Sequence, residues 1–377
     1  MTRPALHPAD APGPTPAPDA SDAPSLAPGA PPGAGPDPAT PVEGGAPAPA
    51  APRPPAPVIY PLAGRRVFVA GHGGMVGAAL ARRLERAGCE ILTAPRAALD
   101  LSDPAAVAAH FARTRPQAVF LAAARVGGIE ANRTRPADFL RDNLAIQLAV
   151  IHEAWRAGVE KLMVLGSSCI YPRDAPQPIP EEALLSGPLE PTNEAYAIAK
   201  IAGLKMAQAY RRQHGADFIA AQPTNLYGPG DNYDPAASHV LPALIRRAAE
   251  AADADAPLEV WGSGAPLREF LHADDLADAL VFLMERYSDD VPINVGSGEE
   301  VSIRRLAELC ARAAALRGRP PPRLVFDASR PDGTPRKLVD RSRLLALGWD
   351  GARPLREGVA QAMADWRAGR ERRRGEV

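Results

Sequence analysis

The sequence has few cysteines, few aromatic residues and almost no net charge. Its three cysteines, Cys89, Cys169 and Cys310, are scattered through 377 residues without the spacing of a metal site, so we predict no metal. An odd, dispersed set of thiols fits a reducing, cytoplasmic environment. A formal net charge of -1 gives no general attraction to nucleic acid or to a membrane surface. No unbroken apolar run reaches about 18 residues, so we expect no membrane-spanning helix.

Aromatic residues are absent from the first 57 residues, which hold 19 of the 43 prolines. This segment is mostly Ala, Pro, Gly and Asp, and it cannot bury enough apolar surface to offset its ordering entropy. It also lacks the apolar run of a signal peptide and the basic bias of a transit peptide. We predict a disordered tail over residues 1–60; a polyproline arm that docks a partner is the alternative.

The ordered part begins with an apolar strand, a glycine turn and a helix. Residues 66–70 form the strand pattern, Gly71, Gly74 and Gly77 follow at GxxGxxG spacing, and residues 78–87 show helical periodicity. This succession predicts a cradle for the pyrophosphate of a dinucleotide, in which Gly71 permits the tight turn, Gly74 lets backbone approach a phosphate and Gly77 lets the helix pack closely. A glycine turn without a ligand is the alternative.

Four further strand patterns, over residues 90–93, 118–121, 161–165 and 217–222, alternate with helical stretches. Such alternation predicts a Rossmann-type α/β fold with a doubly wound parallel sheet, whose ligands bind beyond the carboxyl ends of the strands. We predict a nucleotide-binding domain over residues 61–235 that receives segments from the C-terminal half. A smaller α/β substrate-binding domain is predicted over residues 236–370. The residues at the predicted strand ends are Gly71, Arg96, Ala122, Ser167 and Pro223.

The end of the second strand distinguishes between cofactors. Enzymes that use NAD usually carry an acidic residue there for the ribose hydroxyls, whereas this chain carries Arg96. An arginine can pair with a 2'-phosphate, so NADP(H) is the predicted cofactor, and an exposed surface arginine is the alternative. Asp100 and Leu101, a few residues further on, suit the adenine ring.

Catalytic potential lies in Tyr196 and Lys200, with Ser167 about thirty residues upstream. Residues four apart on a helix share one face, and the lysine charge favours the phenolate. We therefore expect the pKa of Tyr196 to be lowered, making it a general acid/base, while the Ser167 hydroxyl holds a substrate carbonyl oxygen. A tyrosine and lysine at this spacing also occur by chance, and they become informative only within a nucleotide-binding fold.

Long motifs extend this pattern from about residue 66 to residue 349. They include GSSCIYP (166–172), LEPTNEAYAIAKIAG (189–203), PTNLYGP (223–229), SHVLPAL (238–244) and DASRPDGTPRK (327–337). With these motifs the chain strongly resembles the GDP-L-fucose synthase family of extended short-chain dehydrogenases/reductases. Members make GDP-L-fucose from GDP-4-keto-6-deoxy-D-mannose by epimerising two carbons and then reducing a ketone.

The resemblance implies a role for each matched residue. Ser167 and Tyr196 would bind the keto oxygen, with Tyr196 as proton donor, and Lys200 would hold the nicotinamide ribose. Cys169 and His239 would be the base and the acid of epimerisation. The alternative for Cys169, taken alone, is a small buried apolar residue, and the alternative for His239 is a capping or packing residue.

The resemblance also implies binding residues and a homodimer that pairs through the helices around Tyr196. As cations, Arg268 and Lys337 suit the pyrophosphate of a GDP-sugar, and Trp261 offers a flat apolar face; a core tryptophan and solvated cations are the alternative. Gly73 stands where many relatives carry an arginine, so we expect a smaller preference for NADPH over NADH than usual. The implied cofactor residues are Gly71, Gly74, Met75, Val76, Gly77, Arg96, Asp100, Leu101, Leu165, Gly166, Ser167, Ser168, Lys200, Pro223, Thr224, Asn225, Leu226 and His239. The implied substrate residues are Arg247, Trp261, Arg268, Asp332 and Lys337.

Rival functions share the fold. A nucleotide-sugar 4,6-dehydratase usually needs an acidic residue near the serine, where this chain has Ser168 and Cys169. A 4-epimerase retains its dinucleotide through the cycle and has no need of a Cys169/His239 pair. A non-enzymatic redox-sensing binder commonly loses the tyrosine and lysine, which are both present here.

Overall fold

A computed structural model describes residues 54–235, 238–330 and 332–369. Most of the predicted tail, residues 1–53, lies outside the described residues. The five strands predicted from the first half are all present, and their bounds agree with the patterns to within one residue. They are β1 (Arg66–Ala70), β2 (Glu90–Leu92), β3 (Ala118–Leu121), β4 (Lys161–Leu165) and β5 (Asp217–Pro223).

The central sheet has six strands, and the sixth, β9 (Ile293–Val295), comes from the C-terminal half of the chain. The strand order is β2-β1-β3-β4-β5-β9, and every pairing is parallel. Because β1 lies between β2 and β3, the chain winds outward from β1 in both directions. The carboxyl ends of β1, β3, β4 and β5 therefore meet at one edge, where doubly wound sheets bind their ligands.

Helices cover both faces of this sheet, which is why its strands are apolar without alternation. One face packs against α1 and α7, and the other against α2, α4 and α5. None of the described helices is long and apolar enough to cross a membrane. The helices are α1 (Met75–Arg86), α2 (Pro104–Thr114), α3 (Ile129–Thr134), α4 (Pro136–Arg156), α5 (Glu194–His214), α6 (Val240–Asp253), α7 (Ala273–Arg286), α8 (Ile303–Ala314), α9 (Ser342–Ala346) and α10 (Leu355–Arg367).

A third apolar cluster gathers α6, α8 and α10 around short strands of the C-terminal half. A small sheet is centred on β8, which pairs with β6, β10 and β12, and a separate parallel pair joins β7 to β11. Lys337 of β12 lies directly beside Arg268 of β8 in this register. The strands are β6 (Asn225–Tyr227), β7 (Leu258–Trp261), β8 (Leu267–His272), β10 (Glu300–Ser302), β11 (Leu324–Asp327) and β12 (Arg336–Lys337).

Helix α1 begins at Met75, three residues before its predicted start. The difference arises because Gly77 lies inside the first turn, and glycine weakens a helical pattern in the sequence. Packing supplies what the intrinsic propensity lacks, since Leu80 and Leu84 of α1 are fully buried in the same cluster as Leu276 and Leu280 of α7.

Candidate active site

Two of the three glycines in the turn between β1 and α1 have no room for a side chain. Gly71 has a φ of +90°, and a Cβ there would lie 2.7 Å from the backbone of Ala123, just beyond β3. A Cβ on Gly77 would lie 2.1 Å from the Gly71 carbonyl oxygen, whereas one on Gly74 would meet its nearest neighbour at 3.5 Å. The first and third glycines are thus required by packing, whereas the second has room for a methyl group.

The N-terminus of α1 is suited to an anion. Gly74 occupies the N-cap without any side-chain cap, and the first turn, with Met75 and Val76, has no acidic residue. The N–H groups of that turn and the positive end of the helix dipole therefore remain available. This cradle of glycines fits the pyrophosphate of a dinucleotide.

Two alanine substitutions compare a crowded glycine of this turn with one that has room for a methyl group. We expect Gly77→Ala to lower the free energy of unfolding by about 2–4 kcal/mol, because the new methyl group overlaps the Gly71 carbonyl. Gly74→Ala is the matched control, and we expect it to change stability by less than about 1 kcal/mol. Urea unfolding followed by circular dichroism measures both, and equal losses would contradict the packing role of Gly77.

Beyond β2, Arg96 is exposed and makes no hydrogen bond or ion pair with the described part of the chain. Its guanidinium is therefore available for a phosphate. Asp100 accepts hydrogen bonds from the backbone N–H and the hydroxyl of Ser102, at 2.9 and 2.7 Å, and these bonds lower its pKa. Leu101 is partly buried and packs against the core on the α2 side of the sheet. Asp100 therefore stabilises its own loop, whatever else it contacts.

A buried glutamine holds the serine loop after β4. The Gln222 side-chain oxygen, on β5, accepts from the Ser167 N–H at 2.9 Å, and a Cβ on Gly166 would lie 1.7 Å from that oxygen. The Ser167 hydroxyl accepts from the Cys169 N–H at 3.2 Å at the start of a 3₁₀ turn, Ser168–Ile170, in which Ser168 is buried. The sequence analysis missed Gln222, although it lies directly before the PTNLYGP motif.

Tyr196 and Lys200 lie one turn apart at the start of α5. The buried Lys200 ammonium donates to the Leu165 carbonyl oxygen at 2.8 Å and lies 5.8 Å from the centre of the Tyr196 ring. Burial lowers the pKa of Lys200 to about 8.

The pKa of Tyr196 is raised, contrary to the expected lowering. Burial raises it most, the negative charge of the Cys169 thiolate raises it further, and the Ser167 hydroxyl lowers it. The Lys200 ammonium is directed to a carbonyl and does not offset burial. Tyr196 is therefore protonated at neutral pH, which is the form that donates a proton to a ketone oxygen during reduction.

Cys169 is half-buried beside a lysine. Burial raises the pKa of its thiol, but the Lys337 ammonium and hydrogen bonds from Ser167, Lys337 and Asn193 outweigh it, so the pKa is lowered overall. The Lys337 Nζ lies 3.4 Å from Sγ. These contacts do not fit the simple reading of Cys169 as a packed hydrophobe.

His239 occupies the N-cap of α6, but its side chain makes no capping bond and is exposed. Desolvation by the surrounding protein lowers the pKa of its imidazole, and the charge of Lys337 lowers it further. The same lysine thus acts electrostatically on Cys169 and on His239, which places both in one neighbourhood. His239 is thus the N-cap residue by position, as the capping alternative expected, but without a side-chain capping bond.

The remaining predicted cofactor residues follow β5. Pro223 ends that strand, and the Thr224 hydroxyl and the Asn225 amide both donate to the Glu269 carbonyl oxygen, at 3.4 and 2.9 Å. Leu226 packs against the core on the α1 side. The side chains of Thr224 and Asn225 therefore fix the segment at the carboxyl end of β5 to β8.

Trp261 ends β7 with 48% of its surface exposed, which excludes a core role. The Arg247 guanidinium, from α6, lies 4.1 Å from the ring centre, and that of Arg330 lies 4.9 Å away. The indole N–H donates to Glu259 at 3.0 Å. The sequence analysis missed Arg330, although it belongs to the DASRPDGTPRK motif.

The other predicted substrate residues lie near the turn after β7. The carboxylate of Asp332 accepts from the N–H and the hydroxyl of Ser263, at 3.0 and 2.6 Å, and so fixes that turn. Arg268 is partly buried and donates to the Leu267 carbonyl oxygen at 2.7 Å. Lys337 lies beside it but contacts Cys169 instead.

The parallel sheet, the glycine cradle and the grouping of Ser167, Tyr196 and Lys200 define an oxidoreductase of the extended short-chain dehydrogenase/reductase class. The sequence model of the "NAD dependent epimerase/dehydratase family" matches residues 67–296. The chain belongs to this family and, within it, to the GDP-L-fucose synthases.

Several known proteins support this assignment. The chain is 58% identical, over 79% of its length and 90% of the relative, to the "Probable GDP-L-fucose synthase 1" of Oryza sativa subsp. japonica. It is 50% identical to the GDP-L-fucose synthase of Escherichia coli K12, over 82% of this chain and 99% of that one. A GDP-L-fucose synthetase from Naegleria fowleri bound to NADP shares the fold with a TM-score of 0.74 and 27% identity, covering 84% of this chain and 98% of that one.

Proposed function

We propose that the chain converts GDP-4-keto-6-deoxy-D-mannose to GDP-L-fucose by epimerisation at carbons 3 and 5 and reduction at carbon 4. The observation that carries this proposal is the position of Cys169. Its N–H donates to the Ser167 hydroxyl at 3.2 Å, and its charge raises the pKa of Tyr196. A thiol with a lowered pKa therefore lies beside the two hydroxyls that suit a ketone oxygen.

Carbons 3 and 5 both flank the carbonyl at carbon 4, so that carbonyl acidifies the hydrogens on both. The Cys169 thiolate takes a proton, and the resulting enolate oxygen accepts hydrogen bonds from Ser167 and Tyr196. His239, as imidazolium, returns a proton to the opposite face of the carbon and inverts it. NADPH, when bound, supplies the hydride to carbon 4. Tyr196 then protonates the oxygen.

The product of the reaction tests this proposal. Purified protein is mixed with GDP-4-keto-6-deoxy-D-mannose and NADPH in D₂O, and the products are separated by chromatography and identified by NMR. We expect GDP-L-fucose with deuterium at carbons 3 and 5. A product that lacks deuterium at both carbons would contradict the role of the Cys169/His239 pair and would favour another nucleotide-sugar enzyme of this fold.

The preference for NADPH rests on Arg96 in this proposal. We expect Arg96→Ala to raise KM for NADPH about tenfold or more, because a charged hydrogen bond to the 2'-phosphate is worth about 1.5–3 kcal/mol. NADH lacks that phosphate, so its KM serves as the internal control and is expected to stay unchanged. Initial rates with each cofactor measure the change. A parallel rise for both cofactors would contradict the contact with the 2'-phosphate.

We also propose a cytoplasmic homodimer, since all three cysteines are free thiols and the outer faces of α4 and α5 expose apolar side chains. Leu148 and Trp155 on α4 are 59% and 37% exposed, and Ile198 on α5 is 44% exposed. These two long helices pack side by side and can form a four-helix interface with a second copy.

A charged residue at this surface is expected to weaken the dimer. Leu148→Glu would place an unpaired carboxylate at the interface. We expect it to raise the dissociation constant of the dimer at least about tenfold. Val325→Glu, at a residue of β11 that is 37% exposed, is the control. Sedimentation velocity measures the change, and an unaltered distribution for Leu148→Glu would exclude this face.

A further inference from the structure

We propose that Lys337 is a positioning residue that keeps Cys169 in its thiolate form before the substrate arrives. This inference rests on the proposed function only in taking Cys169 as the base of epimerisation. The geometric observation is the contact between the Lys337 Nζ and Sγ at 3.4 Å. Lys337 was predicted from the sequence only as a contact of the substrate pyrophosphate.

The position of Lys337 is set by backbone pairing. It is the second residue of β12, and Val339, two residues further on, forms an isolated parallel bridge with Ile179. The Leu338 N–H donates to the Gln177 side-chain oxygen at 2.8 Å, and the Ile179 N–H donates to the Leu338 carbonyl oxygen at 2.8 Å. The segment that carries the lysine is thus tied directly to the segment that follows Cys169. Because these bonds restrain the backbone at Lys337, its side chain is held where the ammonium lies beside the Cys169 thiol.

The other groups around Cys169 cannot replace this charge. Ser167 and Asn193 are neutral hydrogen-bonding partners, and the neutral phenol of Tyr196 lies on the α5 side. Lys200 donates to the Leu165 carbonyl oxygen instead. His239, at the start of α6, has its own pKa lowered by desolvation and by Lys337, so the same lysine disfavours a second positive charge there. Lys337 is the positive charge that the described residues bring to the thiol.

The consequence for chemistry is specific. An ammonium ion within about 4 Å stabilises a thiolate over a thiol, and so it allows the base to be deprotonated at lower pH. Removal of the positive charge leaves burial, which favours the thiol, opposed only by the hydrogen bonds of Ser167 and Asn193. The remaining cysteines are internal standards, since burial raises the pKa of Cys310 to about 12 and also raises that of Cys89.

The test is the pH dependence of alkylation in the full chain without substrate. Iodoacetamide labelling at a series of pH values, read by mass spectrometry at each cysteine, gives the rate for Cys169, Cys89 and Cys310 separately. We expect Lys337→Met to shift the Cys169 profile to higher pH and to slow its labelling about tenfold or more at pH 7. Lys337→Arg, which keeps the charge, should restore most of the rate. Lys205→Met, at an exposed lysine of α5, is the matched control and should match the unaltered chain.

Two further results distinguish a failure of this inference from misfolding of the variant and from a failure of the proposed function. Unchanged Cys89 and Cys310 labelling in Lys337→Met shows that the fold is intact. Deuterium exchange at carbons 3 and 5 of the substrate should shift to higher pH in the same variant. A Cys169 labelling profile in Lys337→Met that overlays the control would overturn the inference, whether or not the enzyme makes GDP-L-fucose. A shifted profile in a chain without exchange activity would support the inference and count against the proposed function alone.

Discussion

Replacing Tyr196 with phenylalanine is expected to reduce the rate of ketone reduction by about 10²–10⁴-fold. Burial and the charge of Cys169 raise the pKa of the phenol, so it holds its proton at neutral pH and is the donor to the ketone oxygen in the proposed mechanism. Phenylalanine preserves the ring on α5 and removes only the hydroxyl group that carries this proton. Consumption of NADPH, followed by its absorbance under single-turnover conditions, measures the loss.

The same variant should keep part of its epimerisation activity. The enolate oxygen retains the Ser167 hydroxyl as a hydrogen-bond donor, so exchange of the substrate hydrogens with D₂O should fall much less than reduction does. Tyr210→Phe is the matched control on the same helix. The Tyr210 hydroxyl contacts His152 at 2.6 Å, far along α5 from the catalytic edge, and its loss should leave both rates unchanged. Equal losses of exchange and reduction in Tyr196→Phe would show that this residue acts in both stages alike.

The sheet was predictable because its strands are short, apolar and evenly separated by helical stretches. β1, β3 and β4 have the predicted bounds, since buried parallel strands are apolar on both faces. β9 was not identified in advance, because three residues of a return crossing carry too little periodicity to be distinguished from a loop. The predicted domain limits at residues 235 and 236 stay a prediction, although the pairing of β9 with β5 agrees with a segment that returns to the first half.

The site was predictable where one motif carries several functional groups, as with Ser167 and Cys169. It was less predictable where a contact depends on the tertiary fold. Gln222 holds Ser167 across two strands, and Lys337 reaches Cys169 from 168 residues further along the chain. Periodicity and spacing contain no information on such pairs. The pKa of Tyr196 was predicted with the wrong sign for the same reason, since the sequence shows the lysine four residues away but not the burial that outweighs it.

The second large effect is expected from Cys169→Ser, which should slow hydrogen exchange at carbons 3 and 5 by about 10²–10⁴-fold. A serine hydroxyl is similar in size but holds its proton far more tightly than a thiol, so the base is lost while the geometry is kept. Cofactor binding should be unchanged, because the glycine cradle and Arg96 are not altered. Cys89→Ser is the matched control, as that thiol donates to the Leu62 carbonyl oxygen at 3.4 Å, away from the site.

The pH dependence of hydrogen exchange at carbons 3 and 5 tests Cys169 and His239 as a base and acid pair. In the proposed mechanism, exchange requires Cys169 as a thiolate and His239 as an imidazolium, and both pKa values are lowered from their ordinary values. The rate should therefore follow a bell whose two limbs belong to the pair, and this bell should lie at lower pH than ordinary cysteine and histidine would give. In Cys169→Ser the falling limb should disappear, so that the slow residual rate rises to a plateau in place of the bell. Slow reduction by NADPH should then yield a sugar that keeps the substrate configuration at carbons 3 and 5, whereas full conversion to GDP-L-fucose by this variant would exclude Cys169 as the base.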